Sequence, residues 1–395
     1  MSPVRVKSAM KILHACESLI GGPASYLEEI LPFQIERISS KNVILVVPED
    51  HRAHVASSIH CVVETYTRTG RNPRSLLALA LAIRGAIKRH DPDIVHLHSS
   101  FAGAIGRFVL SGLRSRARVV YCAHCWSFDR PARSMTTRLW TSVERALSHL
   151  TDVIVNISPH ELPLLRRAHF SLKKSVLIIT GLRDFPPEHR TPPMAQRAPG
   201  SPLRLLFAGR MDRQKGIDLL LREFADIDPK RATLTLVGNN VVGSTDLVLP
   251  PHVESIGWVA RGVLSAALQD FDVVIMPSRW EGMPLWAIEV MRSGRVLVCS
   301  SHGTFPHFIE HGSNGFLVDI NRPGFLDSAL RHLETSDLPA VGRAARATYE
   351  TMFGNEPMNA DLMKLYNRLA DRDRRSVQPE AAAGPALPRP SHSEG

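Results

Sequence analysis

Between Asp272 and Gly294 a short apolar run passes straight into a helical pattern, and this junction constrains the fold more than any other stretch. The run Asp272-Val-Val-Ile-Met-Pro277 is β-branched and ended by proline, the pattern of a strand buried on both faces. From Pro284 to Arg292 apolar residues recur at helical spacing, with Pro284 suited to a first turn and Gly294 to the stop. A doubly buried strand feeding a helix belongs to a parallel sheet with crossover helices. Glu281 lies in the loop before the helix and Glu289 about a turn inside it. In open α/β sheets, ligands sit outside the carboxyl ends of strands, at helix N-termini. The segment thus offers backbone N–H groups to an anion and two acceptor side chains to hydroxyls.

A second loop of this kind lies upstream. Leu203 to Ala208 reads as a strand, followed by Gly209-Arg-Met-Asp-Arg-Gln-Lys-Gly216 and a helix to about Ala225. Arg210 can fork onto two oxygens and Lys215 supplies a point charge, which suits a diphosphate. The glycine spacing is not that of a Walker A loop, and no G-x-G-x-x-G follows the first strand, which disfavours a dehydrogenase. Further strands are expected at Ala232 to Val237, Val253 to Val259 and Arg295 to Ser300, and helices at Ala340 to Tyr349 and Glu356 to Arg374.

The first half repeats the alternation. Strands are expected at Lys11 to Cys16, Val43 to Val47, Asp93 to His98, Arg118 to Cys125, Asp152 to Ser158 and Val176 to Thr180. Gly21-Gly22 precedes a proline at a helix start and allows close backbone approach to a ligand. That helix is expected to bend or break near Pro32. Arg74 to Arg89 is amphipathic: Leu76, Leu77, Leu79, Ala80, Ile83 and Ile87 form the apolar stripe, and Arg84, Lys88 and Arg89 the cationic side. It reads as a helix packed on the sheet, with a membrane-facing helix as the alternative. His96 and His98 alternate to one side of their strand, but no third ligand has a convincing spacing, so hydrogen-bonded histidines are expected rather than a metal. His124 sits at a strand's carboxyl end, where sites are built. Cys122 and Cys125 read as inert strand cysteines. Ser158 to Glu161 has the form of a capping box opening a helix.

A chain of 395 residues holds two cores comfortably. Arg183 to Pro202, rich in Pro, Arg and small residues, divides it. We therefore expect a first domain over 1–182, a linker over 183–202, a second domain over 203–350, a closing helix over 351–374 and a disordered tail over 375–395. The absence of a long apolar run and of a signal-peptide core points to a cytoplasmic protein. Five sparse cysteines suit reduced thiols. Of the net charge of +10, residues 1–184 carry +11 and residues 185–395 carry −1. An anionic partner is thus expected for the first half, either nucleic acid or a membrane surface.

The pair of glutamates seven residues apart around Gly282, the Arg210/Lys215 loop and the double glycine together resemble retaining GT-B glycosyltransferases of family 4. The resemblance spans residues 11–374. It implies two Rossmann-like domains facing a cleft, with a C-terminal helix crossing back to the first. It implies a nucleotide diphosphate sugar as donor substrate and no cofactor; no DxD-like acidic pair sits at a strand end, so no divalent metal is expected. Arg210 and Lys215 would hold the diphosphate, Glu281 the sugar hydroxyls and Glu289 the ribose. Met283, Pro284 and Leu285 would line the donor, Gly22 would face it, and His124 would bond the sugar near the reacting carbon. The partner implied is a glycan or polyprenyl-diphosphate-linked acceptor, which favours an inner membrane face over nucleic acid. The product would be a surface polysaccharide or an exopolysaccharide. Departures include Glu281-Gly-Met-Pro284 where the family commonly has Glu-Gly-Phe-Gly, Arg292 for a small residue, Pro306-His307 for Pro-Glu, and Thr180-Gly181 for Asn-Gly. They bear on the identity of the sugar. A sugar-nucleotide epimerase and a non-catalytic nucleotide- or polysaccharide-binding protein are the alternatives.

Overall fold

The structure is a computed structural model and describes residues 10–371, except 57, 114, 130–134, 199 and 240–247. In the first half the chain runs β1 (Ile12–Cys16), α1 (Gly22–Ile38), β2 (Val43–Pro48), β3 (Val62–Tyr66), α2 (Pro73–His90), β4 (Ile94–His98), α3 (Ser100–Ser111), β5 (Arg118–Cys122), α4 (Met135–Leu147), β6 (Val153–Asn156), α5 (Glu161–Arg167) and β7 (Ser175–Leu177). The second half runs β8 (Leu203–Ala208), α6 (Ile217–Phe224), β9 (Ala232–Val237), β10 (Val253–Ser255), α7 (Arg261–Ala267), β11 (Val273–Met276), α8 (Leu285–Arg292), β12 (Val296–Ser300), β13 (Phe316–Val318), α9 (Phe325–Thr335), α10 (Leu338–Met352) and α11 (Asn355–Ala370).

The strands form a seven-stranded sheet in the order β3-β2-β1-β4-β5-β6-β7 and a six-stranded sheet in the order β10-β9-β8-β11-β12-β13. Every pairing recorded is parallel. The strand order reverses between β1 and β4 in the first sheet and between β8 and β11 in the second. Those are the topological switch points at which such sheets bind ligands. The glycine pair follows β1, the Arg210/Lys215 loop follows β8, and Glu281 follows β11. This is the GT-B architecture.

Tertiary packing corrects several local readings. Helix α1 runs unbroken through Pro32, because Ile30, Leu31 and Gln34 on either side are buried in the core. In α2 the buried face is Ser75, Leu79, Ile83, Ala86 and Ile87, while Leu77 is 61% exposed and so stands outside the apolar stripe. Arg89 stands on the exposed, cationic side as expected and also reaches Glu64 in a two-point ion pair at 3.1 and 2.6 Å. The strand expected over Val253 to Val259 stops at Ser255, since Gly257 turns to φ +72 and its carbonyl accepts from Gly238 at 2.8 Å. The capping box at Ser158 is only half made: Glu161 accepts from the Ile157 N–H at 2.7 Å, but helix α5 starts at Glu161. Helix α9 was not expected from the sequence. The tail over 375–395 lies outside the described residues.

The segment between the sheets is extended but pinned. Arg346 forks onto Asp184 at 2.7 and 2.6 Å, Arg292 stacks 3.6 Å from the Phe185 ring centre, and Arg295 donates to the Pro192 carbonyl at 3.1 Å. The Arg183 N–H donates to Glu29 on α1 at 2.8 Å. Helix α11 then returns to the first sheet and packs on α1. Its Tyr366 hydroxyl lies 2.6 Å from His96 Nδ1, and its Asn359 amide donates to the Glu29 carbonyl at 3.0 Å.

One glycine fixes the seat of the cationic loop. Gly216 has φ +72, and a Cβ there would lie 2.0 Å from the Pro277 carbonyl oxygen at the end of β11. Left-handed strain and a backbone clash act together, so Gly216→Ala should lose about 2 kcal/mol or more of stability in denaturant unfolding. Gly262→Ala, where a Cβ would meet nothing within 4 Å, should not lower the midpoint.

Candidate active site

The loop after β8 is shaped by close backbone approach. Gly209 has φ +149, and a Cβ on Gly238 would lie 1.9 Å from the Gly209 carbonyl oxygen. The Lys215 N–H donates to Asp212 Oδ1 at 3.0 Å, closing the turn. The loop then grips the segment after β11. The Arg279 N–H donates to the Gln214 carbonyl at 2.8 Å, and the Gln214 amide donates to the Trp280 carbonyl at 3.2 Å. Arg279 forks onto Asp218 of α6, both contacts at 2.7 Å.

These bonds bring the two charge-bearing motifs together. Lys215 Nζ lies 2.6 Å from Glu281 Oε1, in a pair whose side chains are 20% and 8% exposed. Arg210 is held by its own loop: its Nη2 donates to Gln214 Oε1 at 2.9 Å and lies 3.2 Å from Asp212 Oδ2. Its side chain is 48% exposed and so is open to a ligand. Glu289 is buried within α8, with the Ser265 hydroxyl donating to it at 3.4 Å.

Met283, Pro284 and Leu285 are also buried. The covering body is the first lobe: a Cβ on Gly282 would lie 2.2 Å from the His124 carbonyl oxygen. The glycine is therefore needed for contact across the cleft. Pro284 precedes the helix as its cap residue, with φ −77 and ψ 96, and α8 starts at Leu285. The N–H groups of Leu285 and Trp286 begin the helix and have no carbonyl of an earlier turn to bond. Opposite, Gly21 caps α1 with φ +70 and Gly22 opens it. Gly22 is exposed, and a Cβ on either residue would meet nothing within 4 Å.

His124 lies past β5, which ends at Cys122, and has φ +60. A left-handed conformation at a non-glycine residue costs ~1 kcal/mol. His124 Nε2 lies 2.9 Å from His98 Nδ1, His98 Nε2 lies 3.0 Å from His14 Nδ1, and His14 Nε2 lies 2.8 Å from Gln34 Oε1. The third histidine that the sequence did not supply is His14, on the neighbouring strand. The β1–β4 register sets His14 opposite His96 and Cys16 opposite His98. His14, His96 and His98 offer ring nitrogens within 4.8 Å of one another, the one grouping among the described residues that could be asked to hold a metal. Desolvation lowers His14 to about 4 and His124 to about 3, and puts His96 and His98 well below the ordinary histidine value. Burial pushes the Cys122 thiol well up, so it is not a nucleophile at neutral pH.

Sequence reasoning missed Gln34, His14, Gln214, Arg279 and Tyr366. Only His14 left a signal, a polar residue amid a strand's apolar run. The others meet their partners through tertiary contact.

Comparison with known proteins agrees with this geometry. Residues 202–335 match the family described as Glycosyl transferases group 1, and residues 20–183 match Glycosyltransferase Family 4. A Klebsiella pneumoniae protein described as an uncharacterized 41.2 kDa protein in the cps region is 29% identical over 79% of this chain and 86% of its own length. An Escherichia coli UDP-Gal:alpha-D-GlcNAc-diphosphoundecaprenol alpha-1,3-galactosyltransferase is 23% identical over 66% of this chain and 71% of its own. Among solved structures, a sucrose-phosphate synthase from Thermosynechococcus elongatus superposes with a TM-score of 0.77 at 19% identity, covering 91% of this chain and 99% of that one. Anabaena HepE in complex with UDP-glucose superposes with a TM-score of 0.72 at 19% identity, covering 91% and 100%. The chain belongs to the family 4, group 1 glycosyltransferases, and it is a GT-B glycosyltransferase.

The buried histidines give a stability profile with a definite sign. Unfolded histidines take up protons near pH 6.5 and the native array does not, so the unfolded state binds more protons below that pH. Their contribution is present above pH 6.5 and is lost as pH falls toward about 4 and then 3. Glu161 acts the other way: burial raises it to about 8, so its contribution is present below the unfolded carboxyl value and is lost as pH rises through 8. Melting temperature should climb from pH 5 to 6.5, and Glu161→Gln should steepen that climb and flatten any decline from 6.5 to 8.

Proposed function

We propose that the chain is a retaining, metal-independent hexosyltransferase. It moves a sugar from a nucleotide diphosphate donor to a polyprenyl-diphosphate-linked glycan during synthesis of a surface polysaccharide or exopolysaccharide. The observation that carries the reading is the seating of Lys215 against Glu281 at the switch point of the second sheet, with His124 directly across the cleft. The relatives point the same way. One is named for transfer to a diphosphoundecaprenol-linked sugar, one lies in a cps region, and a third, from Escherichia coli, is a putative colanic acid biosynthesis glycosyltransferase.

In this reading charge builds on the departing diphosphate, and fixed cations stabilise it without reorganising. Arg210 supplies the exposed fork. Lys215 exchanges part of its hold on Glu281 for a phosphate oxygen. Glu281, released from full pairing, accepts from the donor sugar's hydroxyls, and Glu289 accepts from the ribose. The N–H groups opening α8 and the glycines opening α1 approach the anion and the sugar. His124 bonds the sugar near the reacting carbon. The acceptor attacks from the side the diphosphate leaves, so the anomeric configuration is kept and no side chain acts as nucleophile.

The first lobe offers a surface for the membrane that holds such an acceptor. Helices α2, α3 and α4 pack side by side. Leu77 and Leu81 of α2, Phe108 of α3, and Met135 and Leu139 of α4 are each at least 60% exposed. Arg74, Arg84 and Lys88 stand on the exposed face of α2 beside the leucines. Apolar residues flanked by cations fit an anionic interface. No helix among the described residues is long and apolar enough to cross a membrane. The site of action in this reading is the inner face of the plasma membrane.

Calorimetry with UDP, GDP and ADP should give binding of one base, with UDP tried first. Lys215→Ala should weaken that nucleotide about ten- to hundredfold, as expected for a lost charged hydrogen bond. The product of the matching donor should show unchanged anomeric configuration by proton NMR, and EDTA should leave the rate unaltered. No turnover over a panel of donors, together with unchanged nucleotide affinity in Lys215→Ala, would refute the proposal. Flotation with anionic vesicles should weaken as salt rises and drop further in a Leu77→Ser/Leu81→Ser variant.

A further inference from the structure

The buried polar chain behind His124 is continuous from the closing face of the first lobe to the cleft. Its members are Gln34 of α1, His14 of β1, His98 of β4 and His124 after β5, with heavy-atom separations of 2.8, 3.0 and 2.9 Å. Gln34, His14 and His98 are each 1% exposed or less. A neutral imidazole carries one N–H and one lone pair, so each ring can donate once and accept once. In such a row the choice at one end dictates every other. Gln34 Oε1 can only accept, so His14 must donate from Nε2 and accept at Nδ1. His98 then donates from Nε2 and accepts at Nδ1. His124 in turn donates from Nε2, which leaves its Nδ1 as a lone pair.

We propose that Gln34, His14 and His98 are positioning residues that lock His124 in its Nε2–H tautomer, so that its free Nδ1 presents an acceptor to the donor sugar. The inference rests on the transferase reading above. It gives the site a preference: a sugar that offers a hydroxyl proton to His124 is held, and a uronic acid that turns an acceptor-only carboxylate toward it is not. The cost of meeting a lone pair with an acceptor falls on a partly desolvated site, where unpaired polar groups are expensive.

Two neighbouring features fit the same ordering. His96 stands beside the row with its ring centre 4.1 Å from that of His98, but bonds the Tyr366 hydroxyl through Nδ1 at 2.6 Å and is not a link in it. Gly282 abuts the His124 carbonyl, and His124 has φ +60, so the backbone holds the ring where the row ends. A metal shared by His14 and His98 would need the lone pairs of both facing nitrogens, which lie 3.0 Å apart, and would take the place of the proton in this row.

The test is the tautomer itself. The full chain labelled with 15N-histidine is studied by long-range proton–nitrogen correlation at neutral pH, with the His124 signals assigned by their loss in His124→Gln. The expected result is a neutral ring protonated at Nε2. In Gln34→Met, which removes the acceptor, the pattern should become mixed, and the donor KM should rise about tenfold while affinity for the bare nucleotide stays unchanged. Uronic acid donors should be used at least tenfold less efficiently, in kcat/KM, than the matching neutral hexose. An Nδ1–H tautomer, a charged His124 ring, or one equivalent of zinc retained after dialysis would overturn the proposal, and the unmodified protein suffices for all three should Gln34→Met fail to fold. Failure to bind any nucleotide would instead overturn the transferase reading, whatever the tautomer proved to be.

Discussion

Two carbonyl oxygens fix the geometry of this protein. That of Pro277 sits where a side chain on Gly216 would be, and that of His124 where a side chain on Gly282 would be. The first contact draws the cationic loop onto the carboxyl end of β11. The second draws the glutamate loop onto the opposite lobe. Neither could form with a Cβ present, because backbone cannot yield as a flexible side chain can. Everything proposed for the site follows from that approach: Lys215 reaches Glu281, Arg210 remains open, and His124 faces them.

The lobes are tied by more than the cleft. Arg346 and Asp184, Arg292 and Phe185, and Arg183 with Glu29 bind the connecting segment to both halves. Helix α11 adds Tyr366 to the histidine cluster from 270 residues away. The closing helix thus contributes to the packing behind the site as well as to the joint between lobes. The one ion pair among these, Arg346 with Asp184, is part-exposed, and such contacts contribute little singly. Their value is geometric, since they set how the two switch points confront each other.

The polar interior of the first lobe is a departure from what a parallel sheet needs. Strands β1 and β4 are buried throughout, and apolar side chains would pack there at less cost. Three histidines occupy those positions, and burial keeps them neutral. A neutral, hydrogen-bonded row is rigid and directional in a way that an apolar core is not. It joins the body of the lobe to His124, whose carbonyl meets Gly282 of the other lobe.

The sequence by itself located most of the strands, though not Val62–Tyr66, along with their parallel sense and the loops that carry charge. Apolar run length, proline and glycine report on backbone geometry, and these are local. Leu203–Ala208 and Ala232–Val237 came out with the boundaries that were expected. The local rules failed where packing outweighed them: at Pro32, where the helix continues with a buried face on either side; at Leu77, left exposed on α2; and beyond Ser255, where Gly257 turned the chain. The tertiary structure alone decided that Lys215 would pair with Glu281, that Arg279 and Gln214 would clasp the two loops, and that His14 would complete a row with His98 and His124. Those partners are set by strand register and by contacts between chain segments tens or hundreds of residues apart, and no local pattern encodes a distance of that kind.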